Sequence, residues 1–269
     1  MHGEYPHLRS EQAGGICWVT IDRQGDRNSL NSELIAELAQ HLEDIERRDS
    51  VRAVVYTGAG DSYFIGGADG VEMMNLSPEE AKAFSSLIQG LFNRMQESPL
   101  ILVAAINGLC FGGGFEFALA CDLRLASENA RIGLPEVKVG LIPGGGGTQR
   151  LPRLVGMGRA MEMILTGHLF PAEEALHIGL IHRLACRAEL RTRCEETLKK
   201  ILRQPQYALS AAKQSVYASM HLPLDRGLVV EQHQFSTCFS HDFFPNLMRD
   251  QLASGELKTT SKKSRRLEE

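Results

Sequence analysis

The first 106 residues alternate between short β-rich runs and longer stretches whose apolar residues recur at helical spacing, and this alternation constrains the fold more than any other feature of the chain. Ile16-Cys17-Trp18-Val19-Thr20-Ile21 reads as a strand, ended by the polar, glycine-containing segment Asp22 to Asn28. After Asn31, a plausible N-cap, Leu34, Ile35, Leu38, Leu42 and Ile45 repeat every three or four positions and predict an amphipathic helix. Arg52 to Thr57 reads as a second strand. Ser77-Pro78-Glu79-Glu80 combines a capping serine, proline at the first helical position and glutamate three residues after the cap, which predicts a helix over Pro78–Glu97. Leu100 to Ile106 is too short for a lone helix and rich enough in branched residues for a buried strand. Strands separated by helices need crossover connections, so the expected class is α/β with a largely parallel, buried sheet.

From about Gly158 the pattern turns helical: Arg159 to Thr166, Pro171 to Ile178, Glu189 to Arg203, Pro205 to Met220 and Leu224 to Phe239. No internal repeat or low-complexity linker divides the 269 residues, so one compact unit over 1–258 is expected, with a helical portion over about 201–258. The polar, charged stretch 259–269 reads as a disordered tail. A net charge of −4 offers no general attraction to nucleic acid or an anionic membrane. The six cysteines form no CxxC pair and the start carries no secretory pattern, so the expectation is a reduced, cytoplasmic protein. The uncharged stretch after Pro99 is short and broken by glycines, so no membrane span is expected.

The chemistry concentrates between Asn107 and Leu154. Gly112-Gly113-Gly114 runs straight into the helix-like Phe115 to Ala120. Backbone N–H groups at such a point are uncovered and lie at the positive end of a helix, which suits an oxygen gaining negative charge, although a tight turn would use the same residues. Glu116, in that first turn, is surrounded in sequence by Phe115, Phe117, Ala118 and Leu119, and Glu136 follows Pro135 among apolar residues. Each could be a capping or salt-bridged carboxylate. A helix out and a strand back, Leu123 to Ala126, could also bring the two to one site. Two carboxyls in one low-dielectric pocket do not both ionise easily, so one keeps its proton as an acid while the other acts as a base, a division suited to adding or removing water.

Other glycine and nucleophile motifs are missing. No G-x-G-x-x-G follows the first strand, Gly144 to Gly147 is followed by Thr148 rather than by a P-loop lysine, and there is no G-x-S-x-G elbow. The nine histidines are scattered, no ligand spacing suggests a metal, and Lys262 to Arg266 reads as a solvated run.

The block resembles the enoyl-CoA hydratase/isomerase (crotonase) superfamily. The resemblance rests on Trp18-Val19-Thr20-Ile21-Asp22-Arg23 with Asn28-Ser29-Leu30-Asn31, Phe64-Ile65-Gly66-Gly67-Ala68-Asp69, Gly112-Gly113-Gly114-Phe115-Glu116, Pro135-Glu136, and Ile142 through Arg153, and it covers about Ile16 to Leu184. It implies a spiral of strand-strand-helix turns with C-terminal helices that pack in a homotrimer or a dimer of trimers, and an acyl-coenzyme A substrate. By the same resemblance Ala68 and Gly113 donate N–H groups to the thioester oxygen, Glu116 and Glu136 are the catalytic pair, Gly144 helps seat the water, and Ser29, Gly67, Asp69 and Gly70 join Ala68 and Gly113 in holding the substrate. The implied reaction is hydration of a trans-2-enoyl-CoA without metal or redox cofactor. The alternatives are an isomerase or a hydratase for a branched or aromatic acyl group, and from other classes an RNA-binding or non-catalytic relative. The chain departs from the family pattern at Ile65, Gly70, Gln24 and the stretch Phe244 to Leu252.

Overall fold

The computed structural model describes residues 5–256, and the stretch expected to be a tail lies outside them. In chain order the elements begin β1 (Leu8–Ala13), β2 (Ile16–Ile21), α1 (Ser32–Glu46), β3 (Ala53–Gly58), β4 (Tyr63–Ile65), α2 (Gly70–Met73), α3 (Pro78–Glu97), β5 (Ile101–Ile106), β6 (Leu109–Phe111) and α4 (Gly113–Ala120). There follow β7 (Leu123–Ser127), β8 (Arg131–Gly133), α5 (Gly147–Val155), α6 (Met157–Thr166), β9 (Phe170–Pro171), α7 (Ala172–His177), β10 (Arg183–Ala185), α8 (Leu190–Ile201), α9 (Gln206–Ala218), α10 (Leu224–Cys238) and α11 (Phe243–Ala253).

Among the described residues ten strands form two sheets, ordered β1-β2-β3-β5-β7-β10 and β4-β6-β8-β9. The chain climbs through both at once: β3 of the first sheet, β4 of the second, then α3; β5, β6, then α4; β7, β8, then α5. The first turn has the same form, with a single parallel bridge from Leu30 to Ala68 in place of the second-sheet strand. Neighbouring turns pair in parallel, as helical crossovers require, and among the described residues only β1–β2 and β8–β9 are antiparallel. This is the expected α/β spiral of strand-strand-helix units with a helical C-terminal portion.

The first sheet is buried on both faces, which its period of two makes visible. Cys17, Val19, Ile21, Val54, Tyr56, Leu102, Ala104 and Ile106 face the main core with α1, α3 and α4. Their alternate neighbours Ile16, Trp18, Ala53, Val55, Ile101, Val103 and Ala105 pack with Leu190, Cys194 and Leu198 of α8. The N-terminal signals act as read: Asn31 accepts from the Leu34 N–H, and Ser77 and Glu80 form a capping box. Besides the short elements β4, α2, β6, β8, β9 and β10, three longer ones have no counterpart in the sequence reading. β1 alternates too weakly to register because only Leu8 of its six residues is buried. α5 carries Pro152 inside it, and α11 has no buried residue. No helix of the described residues is long and apolar enough to cross a membrane.

Candidate active site

The second sheet builds the site. β4, β6 and β8 run parallel, with Phe111 opposite Gly133, so the segments that leave their carboxyl ends emerge side by side. These are Gly66-Gly67-Ala68 after β4, Gly112-Gly113 after β6, and Leu134-Pro135-Glu136 after β8. A topology of this kind leaves its crevice beyond the strand ends.

Close approach there demands glycine. A Cβ at Gly114 would overlap the Ile65 carbonyl oxygen, so only a bare Cα lets α4 seat against β4. Gly112 adopts a φ of 54°, in the left-handed region, and a Cβ on it would lie 3.3 Å from Glu136 Oε1. A Cβ on Gly113 would lie 3.2 Å from the Ala68 nitrogen. Ala68 and Gly113 thus lie side by side, and neither N–H group is engaged by another group among the described residues. For Gly113 the reason is structural: it is the first residue of α4, with no preceding turn to bond.

Glu116 is 2% exposed, in an α4 that is buried along its whole length. Its Oε1 accepts two backbone bonds, from Gly145 N–H at 2.8 Å and Gly147 N–H at 2.7 Å. Gly147 opens α5, so this carboxylate sits at a positive helix end. Burial pushes the Glu116 carboxyl above the ordinary range, while the Gly147 and Gly145 N–H bonds and the Arg150 cation pull it back.

Glu136 opens a short 3-10 turn, Glu136–Val139, and has few partners. Its Oε2 is buried without a hydrogen bond. Burial raises its carboxyl to about 7; its own backbone N–H opposes this and the Glu116 charge adds to it. The two carboxyls are therefore within electrostatic reach of one another, with α4 running out and β7 back between them in the chain.

The remaining expected residues fall in different settings. Gly67, at a φ of 91°, adjoins Ala68. Asp69 accepts from Val71 and Glu72 N–H as the cap of α2, and from Arg23 Nη2 at 3.1 Å, so its carboxylate is already engaged. Ser29 is buried, and its carbonyl oxygen accepts from Arg23 Nη1 at 2.6 Å. Gly70 begins α2 with open space around its Cα. Gly144 offers its carbonyl oxygen to Ser85 Oγ and Gln89 Nε2, while the N–H groups that reach Glu116 come from Gly145 and Gly147. The sequence reading missed those two; the signal available was the glycine run preceding Thr148. Away from this pocket, His7, Glu33 and Glu37 place possible ligand atoms within 4.8 Å of one another, with His7 Nδ1 already bonded to Glu37.

The enoyl-CoA hydratase/isomerase family model matches residues 11–248. A short-chain-enoyl-CoA hydratase of Clostridium acetobutylicum is 40% identical over 230 residues, which are 86% of this chain and 88% of that protein. A crotonyl-CoA hydratase of Syntrophomonas wolfei is 35% identical over 236 residues, 88% of this chain and 91% of the other. The crystal structure of an enoyl-CoA hydratase from Bacillus anthracis superposes with a TM-score of 0.86 at 33% identity, covering 93% of this chain and 96% of that one. With the site assembled at the carboxyl ends of its second sheet and matches spanning nearly the whole described chain, this protein belongs to the enoyl-CoA hydratase/isomerase family.

Proposed function

We propose that this chain is an enoyl-CoA hydratase that adds water across the 2,3 double bond of a short trans-2-enoyl-CoA to give a 3-hydroxyacyl-CoA. The observation that carries the reading is the buried Glu116 and the half-buried Glu136 within electrostatic reach of one another, together with the unengaged N–H groups of the adjacent Ala68 and Gly113. The Ala68 and Gly113 N–H groups take the thioester oxygen and stabilise the enolate charge that develops on it. Glu116, whose charged form is held by two N–H bonds and a nearby cation, accepts the proton of the attacking water as its oxygen bonds to the β-carbon. Glu136, whose environment favours the protonated form to about pH 7, delivers a proton to the α-carbon. Acid, base and oxyanion donors then all come from the chain, and the reaction calls for neither metal nor redox cofactor. Gly144 belongs to the turn that carries the Gly145 donor and so helps shape the place of the water. Ser29, Gly67, Asp69 and Gly70 flank Ala68 on the coenzyme side.

Crotonyl-CoA is the direct test. The pure protein should bleach the ultraviolet band of the conjugated thioester and form 3-hydroxybutyryl-CoA by mass. A folded protein that binds coenzyme A yet leaves crotonyl-CoA unchanged would remove the assignment.

The same reading includes assembly as a homotrimer or a dimer of trimers. α10 and α11 bury no residue in the single chain and expose Leu224, Val229, Phe235, Phe239, Phe243 and Phe244, an apolar surface that asks for a partner. Sedimentation velocity should give three or six chain masses; a monomer at micromolar concentration would contradict it.

A further inference from the structure

Glu116 is held by a turn, and the turn is held by Arg150. The guanidinium of Arg150, on α5, donates through Nη1 to the Gly145 carbonyl oxygen at 3.0 Å. Nη2 donates to Asn93 Oδ1 at 2.7 Å and to Gln96 Oε1 at 3.0 Å, and Nε reaches the same Gln96 oxygen at 3.2 Å. Asn93 and Gln96 lie on α3, so one planar fork ties the glycine turn to a 20-residue helix. The turn needs such a tie because it has no side chains of its own: Gly144 to Gly147 is glycine throughout, and Gly146 stands at a φ of 102° directly under the guanidinium. On its other side the turn presents the Gly145 and Gly147 N–H groups to Glu116 Oε1.

We propose that Arg150 is a positioning residue for Glu116: its fork fixes the Gly145–Gly147 donors to α3, and its charge favours the ionised carboxylate that takes the proton from water. Arg150 is not the turn's sole tie to α3, since Ser85 Oγ and Gln89 Nε2 donate to the Gly144 carbonyl oxygen, but it is the one that grips Gly145, on whose other side α3 presents only the apolar Ile88 and Phe92. β8 leads to Glu136, whose own carboxyl the Glu116 charge helps to raise. The cation that acts on Glu116 is Arg150, which is itself within electrostatic reach of Tyr217 on α9. Arg150 touches no reacting atom. It acts through the turn and through its field.

This role rests on the hydratase reading for its kinetic consequence, but part of its test needs no substrate. With glutamate labelled at the side-chain carboxyl, the Glu116 carbon-13 signal is identified by its loss in Glu116→Gln and titrated in wild type, Arg150→Gln and Arg150→Lys. Arg150→Gln should move the Glu116 midpoint upward by about one pH unit, since an opposite charge has been removed. The acid limb of kcat/KM should move with it, and kcat should fall at least about tenfold at unchanged KM. Arg150→Lys restores the charge without the fork, so the midpoint should return while kcat stays low. If Arg150→Gln does not fold, the pair Asn93→Ala and Gln96→Ala cuts the Arg150 fork from α3 with the cation and the Ser85 and Gln89 bonds to Gly144 still present, and kcat should again fall at unchanged KM. An unmoved Glu116 midpoint in folded Arg150→Gln, or wild-type kcat in the α3 double variant, overturns the role of Arg150. Failure of the hydratase reading looks different: the wild-type chain leaves crotonyl-CoA intact whatever Glu116 titrates.

Discussion

Glu116→Gln and Glu136→Gln should each slow crotonyl-CoA hydration about a thousandfold, the scale of a positioned general base or acid, with the folded structure retained. The amide at 116 keeps an oxygen for the Gly145 and Gly147 N–H groups, so the turn remains in place while the proton acceptor is lost. The amide at 136 fills the same pocket without a transferable proton. The pH dependence has a definite sign. Glu136 titrates near 7 and must be protonated to act, so wild-type turnover should decline as pH rises through that value. In Glu116→Gln the like charge is gone, Glu136 holds its proton less tightly, and the residual activity should lose its alkaline limb at a lower pH. The limb moves only part of the way to an ordinary carboxylate, because burial is the larger cause of the shift. Near-wild-type rates in both variants, from stopped-flow absorbance, would end the two-carboxyl mechanism.

The second large effect concerns stability. Lys213, on α9, forms a buried ion pair with Asp122 at 2.9 Å and donates to the Leu100 carbonyl oxygen at the same distance. Asp122 in turn accepts from the Leu102 N–H and the Tyr217 hydroxyl. This cluster joins the C-terminal helices to the first strand of the third turn and borders a cavity of about 420 Å³. Lys213→Met should cost about 3–5 kcal/mol in urea unfolding, because the carboxylate is left buried without its cation. Burial already pushes Asp122 upward against the pull of Lys213, and loss of the lysine pushes it further. A folded-state carboxyl raised above its unfolded value stabilises the fold below the ordinary carboxylate range and loses that contribution as pH rises. The deficit of Lys213→Met should therefore be larger at pH 8 than at pH 5. Adding Asp122→Asn should recover part of it, since the amide still accepts from Leu102 without leaving a charge. A deficit below about 1 kcal/mol at pH 8 would show the pair to be dispensable.

Much of this molecule was legible one-dimensionally. The capping serine and proline at Ser77-Pro78, the Asn31 cap and the branched run before Asn107 act within a few residues of themselves, so their meaning survives in any context. The suspicion about Glu116 and Glu136 was also local, since a carboxylate among phenylalanines or beside a proline is unusual wherever it occurs. Less visible were β1, exposed at five of its six residues and so without a period of two, and α5, whose internal Pro152 and glycine lead hide a helix that its neighbours stabilise.

The pairing of chain positions was decided by the tertiary structure alone. Parallel β6 and β8 bring residues 112 and 136 to one strand end, and the Leu30–Ala68 bridge adds the opposite N–H donor. The partnership of Glu116 with Gly145 and Gly147, and of Arg150 with α3, spans 29 to 57 residues. No periodicity encodes such a separation, because it depends on how many residues each spiral turn spends in loops. The sequence by itself determined most of the long helices, the strands β2, β3, β5 and β7 between them, and which carboxylates are misplaced for solvent. Burial depth, the unsatisfied Glu136 oxygen and the division of one carboxyl toward acid and the other toward base arose only when the turns stacked, since each depends on water being excluded by residues distant in the chain.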